Sequence, residues 1–262
     1  MPISHGSGPL QQHAPVTQAQ GYLAQKALEA LPPLNAPERL TIRFSRASDI
    51  DNFVDLYSGP RKYRIDPKGF IRERSYEELV KSVKAGAAIL ALDENGHIRA
   101  SALADRLHDQ NNPENNFTEI GAVMCDVGGI GLPNLVVGML ALKQYFDPLA
   151  NASVFAKVAH DNEASNHVFG KSMRWHKVEN EDKRKALFDL AYAGKKDGNR
   201  SRTWYAFTAS AANVAEEAIK KAIENEALHG KSGKTVPLDI ASSSLWSTLQ
   251  FHEMLACRHD AA

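Results

Sequence analysis

The chain has 262 residues, 43% hydrophobic and 24% charged, an ordinary globular composition with enough chain for one sizeable core. Thirty-one basic and thirty-one acidic residues cancel to a formal net charge of zero, so bulk charge makes no case for nucleic-acid or membrane binding. No apolar run is long enough to span a bilayer, and two cysteines, Cys125 and Cys257, without pairing or metal-site spacing fit a reducing cytoplasm.

Met1 to Ala19 carries His, Gln, Ser, Gly and Pro without an apolar signal core and reads as a flexible arm. Gln20 to Leu31 fits a short helix stopped by Pro32-Pro33. Leu40 to Phe44 alternates apolar and polar, as a half-buried strand does. Ser48-Asp49-Ile50-Asp51 then has the form of a capping box, and Ile50, Phe53, Val54 and Tyr57 fall on one helical face. Ser75-Tyr76-Glu77-Glu78 opens a second helix, with Leu79, Val80 and Val83 inward and Gly86 ending it.

Ala87 to Leu92 and Ile98 to Ala104 flank Asp93-Glu94-Asn95-Gly96, a hairpin signal in which Asn-Gly supplies positive φ. Residues 105–117 read as a polar loop. An apolar strand follows, Thr118 to Cys125, then a glycine turn, Asp126-Val127-Gly128-Gly129-Ile130-Gly131, and an apolar helix from Pro133 to Phe146. Ser153 to His160 reads as a strand and Asn162 to Lys171 as a helix. Thr203 to Thr208 reads as a late strand, and Ser210 to His229 as an amphipathic helix stopped by Gly230. The order β-α-α-β-β-β-α-β-α-β favours a mixed sheet with helices on both faces. A Lys/Gly linker then leads to a short helix around Leu245 to Leu255.

Three glycines between a strand and a helix permit positive φ and a close backbone approach, and the free N–H groups of the helix start favour an anion such as phosphate. The plain alternative is a tight turn with no ligand. A dinucleotide-binding reading fails because the glycine spacing is wrong and three strands already precede the turn. Gly230-Lys231-Ser232-Gly233-Lys234-Thr235 imitates a phosphate-binding loop, but its first required glycine falls on Leu228 and no helix follows, so it reads as part of the linker.

Gly129-Ile130-Gly131 followed by Asn162, Ser165 and Lys171 resembles, in order and spacing, the motif of the GNAT superfamily of acyl-CoA-dependent N-acetyltransferases. There the pattern is Arg/Gln-x-x-Gly-x-Gly/Ala, then Asn-x-x-Ala/Ser-x-x-x-Tyr-x-Lys. The resemblance covers residues 40 to 210 in element order and 118–175 at motif level. It implies a GNAT-like α/β fold: a mixed, mostly antiparallel central sheet splayed between its fourth and fifth strands, with acyl-CoA in the splay and an extra C-terminal helix beyond it. The implied division is an arm at 1–38, the acyltransferase domain at 39–210 with an insertion at 176–202, and a C-terminal helical extension at 211–262.

By the same resemblance, the N–H groups of Gly128, Gly129, Ile130, Gly131 and Leu132 hold the pyrophosphate. Asn162 bonds the pantetheine arm, Ser165 lies near the phosphates, and backbone N–H groups near Val123 to Cys125 polarise the thioester. The bland role of Asn162 is helix capping, and both roles can hold. Glu119 is either an outward, solvated glutamate or the general base that takes the amine proton. His160, His167 and His176 are alternative bases, more simply read as surface histidines. Cys125 lacks a basic neighbour in sequence that would make it a covalent nucleophile.

Three departures matter. Asp126 stands where the pattern has Arg or Gln, Phe169 stands at the tyrosine position, and Ser172-Met173-Arg174-Trp175 replaces the Gly-Phe that follows the lysine. The basic stretch Arg61, Lys62, Arg64, Lys68, Arg72 and Arg74 reads as a solvated loop, with recognition of an acceptor carboxylate or phosphate as its functional alternative. The expectation is a cytoplasmic acyltransferase that uses acetyl-CoA as donor and acts on an unidentified amine by direct attack in a ternary complex. The alternatives are a non-catalytic acyl-CoA-binding or interaction module and a structural protein with no cofactor. A homodimer is left open by the apolar face of the C-terminal helix.

Overall fold

Nine strands form a single sheet, in a structure (a computed structural model) that describes residues 35–108, 116–146, 153–182, 201–230 and 233–240. Strand β1 (Leu40–Phe44) leads through a short turn of 3-10 helix, Ala47–Asp49, into α1 (Ile50–Ser58), α2 (Pro60–Ile65) and α3 (Tyr76–Lys84). Next come β2 (Ala88–Asp93), β3 (Ile98–His108), β4 (Asn116–Cys125), α4 (Leu132–Phe146), β5 (Ser153–Ala159) and α5 (Glu163–Asn166), which continues as a π-helical stretch over His167–Ser172. The order closes with β6 (His176–Lys177), β7 (Arg202–Ala206), α6 (Ala209–Asn225), β8 (Ala227–His229) and β9 (Thr235–Asp239).

The spatial order is β6-β7-β5-β4-β3-β2-β1-β9-β8. Among the described residues only the β4–β5 and β1–β9 neighbours run parallel, so the sheet is mixed and mostly antiparallel. The parallel β4–β5 pair needs a crossover, and α4 supplies it.

Helices cover both faces. On one face Phe53, Leu56 and Tyr57 of α1 and Leu79 and Val83 of α3 pack on Leu90, Leu103 and Met124. On the other, α4 lies between the sheet and α6, which is why it is apolar all round rather than amphipathic. Gly138 lets α6 come close: a Cβ there would lie 3.3 Å from Ala215 Cβ and 3.0 Å from Met173 Cε. Residues of α6, β8 and β9 share this core with β1, β2 and α4.

The capping box expected at Ser75 is present: Glu78 N–H donates to Ser75 Oγ and Ser75 N–H to a Glu78 carboxylate oxygen. The Asn95-Gly96 hairpin is present too, with Gly96 at φ 80°. Four local expectations are corrected. Helix α1 starts at Ile50 without the box expected at Ser48–Asp51: its N-cap is Asp49, whose carboxylate does not cap the helix but is held by the buried Arg43 guanidinium at 2.6 and 2.7 Å and by Arg46 N–H. The basic stretch is not simply a solvated loop, since α2 forms there and Arg61, Lys62 and Arg74 are buried. Strand β3 runs on to His108 and β4 begins at Asn116, which shortens the expected loop. Helix α6 stops at Asn225 with Glu226 left-handed, and the chain then forms a β8–β9 hairpin whose second strand pairs with β1 where a linker was expected. The helices expected at 20–31 and 245–255 lie outside the described residues, as does most of the expected insertion.

Candidate active site

Strands β4 and β5 pair over only three positions, Phe117↔Ser153, Thr118↔Val154 and Glu119↔Phe155. Beyond Glu119 they separate, although β4 runs on to Cys125 and β5 to Ala159. The wedge between them opens into a cleft of about 560 Å³. Val123, Met124 and Cys125 of β4 form one wall. Asn162, Ser165, Val168 and Phe169, at the start of the α5 region, form another. The loop after α2, from Ile65 to Ile71, borders the cleft, and Gly128 and Pro133 stand where β4 hands over to α4.

The wall on β4 is irregular. Ser101 pairs with Met124 and Leu103 with Gly121, so β4 carries one residue more than β3 between those points. The extra residue is a β-bulge, and Ala122 within it adopts φ 48°, uncommon for a residue with a Cβ. Tyr57 Oη, fully buried beneath it, donates to Ala122 O at 2.6 Å and lies 2.9 Å from Ser101 Oγ.

At the far end, Gly129 (φ 82°) and Gly131 (φ 72°) carry the left-handed backbone the turn needs. Nothing lies within 4 Å of a Cβ built on Gly128 or Gly129. Asn134 and Leu135 N–H groups both donate to Gly131 O, closing the first turn of α4. Among the described residues the N–H groups of Gly128, Gly129, Ile130, Gly131 and Leu132 donate to no protein acceptor. Ile130 and Leu132 send their side chains into the core, and of these five residues Gly128 alone lines the cleft. Free amides at a helix start beside open space suit an anion such as a diphosphate.

No protein-family model matches the chain, and no curated protein sequence matches it. Solved structures similar to it include acetyltransferases. A GNAT-family acetyltransferase from Streptococcus pneumoniae is 15% identical, with a TM-score of 0.45, over 64% of this chain and 98% of that one. The diaminobutyrate acetyltransferase EctA from Paenibacillus lautus, in complex with L-2,4-diaminobutyric acid and coenzyme A, is 15% identical with a TM-score of 0.42, over 64% and 94%. Arabidopsis thaliana NAA60 in complex with acetyl-CoA is 12% identical with a TM-score of 0.43, over 64% and 98%.

The residues picked out by sequence meet at the cleft to different degrees. Val123, Cys125, Gly128, Asn162 and Ser165 line it. Asn162 caps α5, its Oδ1 accepting from Ser165 N–H at 3.1 Å, so the bland reading of that side chain is realised. Glu119 stands at the apex of the wedge, in the last β4–β5 pair and directly opposite Asp105 of β3. Burial pushes its carboxyl up to about 7; Lys157 opposes the shift, Asp105 reinforces it, and Arg74 and Arg72 oppose it. His160, His167 and His176 are exposed and do not line the cleft.

The Cys125 thiol is raised to about 11, mainly by burial, and donates to Val127 O, which removes the thiolate a covalent nucleophile needs. Asp126 is turned into the protein: Arg99 Nε lies 2.9 Å and Arg61 Nη2 3.3 Å from its carboxylate. In the basic stretch Arg61 serves Asp126, Arg72 serves Glu78 and Arg74 grips Asp105 through two bonds, whereas Lys68 lines the cleft. Among the described residues no group of His, Cys, Asp and Glu is arranged to hold a metal, and no helix is long and apolar enough to cross a membrane.

Three contributors escaped sequence reasoning. Asn166 ties the end of β5 to the α5 region, its Nδ2 donating to Ala159 O and Asn162 O while its Oδ1 accepts from Tyr205 Oη. Asp66 shapes the loop at the cleft by accepting from Phe70 and Ile71 N–H groups. The turn composition Asp66-Pro67-Lys68-Gly69 was an available signal for it. Tyr57 gave no signal beyond its place on an apolar helix face.

Proposed function

We propose that this protein is an acyl-CoA-dependent N-acyltransferase of the GNAT type, using acetyl-CoA to acylate an amine. The observation that carries the reading is the parting of β4 and β5 after three pairs. The parting leaves a strand edge without a β5 partner that runs from Glu119, past a bulge, toward the turn at Gly128, whose amides donate to no acceptor among the described residues. Bound in that cleft, acyl-CoA supplies an activated thioester to a neutral amine and leaves as the thiol.

Each chain element then has a defined task. The N–H groups of Gly128 to Leu132, at the positive end of α4, hold the diphosphate. The free edge of β4 offers backbone partners to the pantetheine arm, as a sheet edge offers them to an added strand. The Val123 N–H, presented at the bulge, donates to the oxygen that gains charge as the amine adds. Glu119 takes the amine proton, directly or through a water, and its pKa near 7 suits a base working near neutral pH. Asp126, neutralised by Arg99 and Arg61, puts no bare carboxylate beside the phosphates. Arg61, Arg72 and Arg74 of the 61–74 stretch are paired with carboxylates of the chain itself and Lys68 lines the cleft, which weakens the reading of that stretch as an anion-recognition patch.

Phe169 favours the second reading, an acyl-CoA-binding module without catalysis, because no ionisable side chain occupies that position on the wall. Calorimetry with CoA combined with thiol release from acetyl-CoA over a panel of amines separates the two. Binding with amine-dependent thiol release supports the enzyme, binding without release supports the module, and no binding at millimolar CoA removes both.

A further inference from the structure

We infer that Tyr57 is a positioning residue that sets the direction of the Val123 N–H by clamping the carbonyl of Ala122. The inference deepens the acyltransferase reading and rests on it. The peptide between Ala122 and Val123 is a planar trans unit, so its C=O and N–H point in opposite directions. Whatever fixes the Ala122 oxygen therefore fixes the Val123 N–H.

In a regular strand the ladder fixes both groups. Here the ladder is interrupted, in two ways. The pairing with β5 ended at Glu119, three residues earlier, and the register with β3 slips between Gly121 and Met124. Ala122 is also held at φ 48°, a left-handed conformation that a Cβ disfavours. Such a conformation persists only where the surroundings over-determine it.

Tyr57 supplies that determination. Its ring is fully buried in the α1–α3 core and stacks on Phe53 at 5.9 Å, so the phenol has little freedom. Its single O–H is committed to Ala122 O at 2.6 Å, and its oxygen is free to accept from Ser101 Oγ at 2.9 Å. The bonds form a chain, Ser101 to Tyr57 to Ala122, in which each member orients the next. It reaches the bulge from the face opposite α4, while Val123 lines the cleft and packs against the α4 side. The carbonyl is thus drawn toward α1, and the N–H of the same peptide is directed away from α1.

The test is Tyr57→Phe, read with acetyl-CoA labelled with carbon-13 at the thioester carbonyl. In the wild type a donor on the carbonyl oxygen should move its carbon-13 resonance on binding. In Tyr57→Phe the CoA affinity measured by calorimetry should stay within about threefold, the carbonyl shift should shrink toward the free value, and kcat should fall about tenfold or more with little change in KM. Ser101→Ala, which removes the phenol's other hydrogen-bond partner and so loosens the same chain, provides a folded variant should Tyr57→Phe unfold, and it should show a milder loss of the same shift. An undiminished carbonyl shift and kcat in either folded variant overturn the role of Tyr57. So does a loss of CoA affinity that matches the loss of kcat, because that marks general distortion of the cleft. A wild-type protein that does not bind acetyl-CoA removes the underlying acyltransferase reading, a result distinguishable from all of these.

Discussion

Arg99 Nε donates to Asp126 Oδ1 at 2.9 Å, across the ends of β3 and β4, and the bond settles where the least expected residue of the glycine turn points. Arg99 is almost fully buried and also bonds Asp93 and Asn35 O, while Arg61 approaches the second Asp126 oxygen and reaches Ile98 O. The carboxylate thus anchors the start of the turn from below. Removing the carboxylate takes one partner from each arginine but leaves Arg99 on Asp93 and Arg61 on Asp55, so the cost is that of lost charge-assisted hydrogen bonds, about 1–3 kcal/mol. Asp126→Ala should therefore lower unfolding free energy by about that amount in denaturant titrations while leaving CoA affinity in the folded fraction close to wild type. An affinity that rises strongly on removing Asp126, with stability unchanged, would show that this carboxylate faces the phosphates after all.

The glycines of the turn make a different prediction. Gly129 and Gly131 sit at φ 82° and 72°, where any Cβ is strained, and the space beside Gly129 is open. Substitution should cost about 1–2 kcal/mol of stability through the backbone. The larger effect should fall on CoA binding, since a side chain enters the space the phosphates need. Gly129→Val and Gly131→Val should each weaken CoA by about tenfold or more in calorimetry. Unchanged affinity in a folded variant removes the turn from the site.

Elements with enough periodic residues were legible in the sequence. The face Ile50, Phe53, Val54 and Tyr57 found α1, the Ser75/Glu78 box found α3, and the three glycines found the turn, because each signal is local. What stayed hidden depends on partners far along the chain. Tyr57 and Ala122 are 65 positions apart, and Arg74 and Asp105 are 31, so burial of a phenol and an arginine could not be read from their neighbours. Strand β8 is three residues long, too short for an alternation to declare itself, and is held by pairing with β9 and by packing of Leu228 into the core. The Asn162 motif was visible as a pattern, but its division of labour was not: Asn162 caps, while Asn166 links β5 to the helix.

Cys125 lines the cleft, so its chemistry can be tested directly. Burial raises the thiol to about 11, leaving almost no thiolate near neutral pH. Alkylation of Cys125 by iodoacetamide at pH 8 should be far slower than that of a free cysteine, and Cys125→Ala should keep most of the turnover. Rapid stoichiometric alkylation at Cys125 that abolishes activity, together with an inactive Cys125→Ala, would restore a covalent route.

Phe169 faces the cleft and also belongs to the core, with its ring edge-on to Trp175 at 4.9 Å and stacked on Tyr205 at 6.1 Å. It offers no proton to the departing thiolate. A thiol has a pKa near 8.5, so the thiolate is a tolerable leaving group without help. Phe169→Tyr should therefore preserve turnover and can raise it, with the gain confined to kcat at a constant KM for acetyl-CoA. A variant that keeps its fold and CoA affinity but loses turnover would mean that the apolar wall, rather than a donor, is what the reaction requires.

Glu119 links stability and activity through one proton. Its carboxyl is raised from an ordinary 4.5 to about 7, so the folded protein holds that proton more tightly than the unfolded chain does. The associated stability is complete below the unfolded value and is lost as pH rises through about 7. Glu119→Gln cannot ionise and does not share that loss. The variant should gain on the wild type in melting temperature between about pH 5 and pH 8. Activity runs the other way, because the base works only when ionised, so the wild-type rate should climb with pH along a limb centred near 7. Glu119→Gln should lower the rate by about a hundredfold or more and flatten that limb. The two readouts are independent: a stability gap that widens with pH confirms the raised carboxyl even in a protein with no measurable turnover. If the gap appears but the variant turns over normally from about pH 6 to pH 9, Glu119 is a half-buried acid near the apex of the wedge and not the base, and the amine loses its proton to a water chain or arrives neutral.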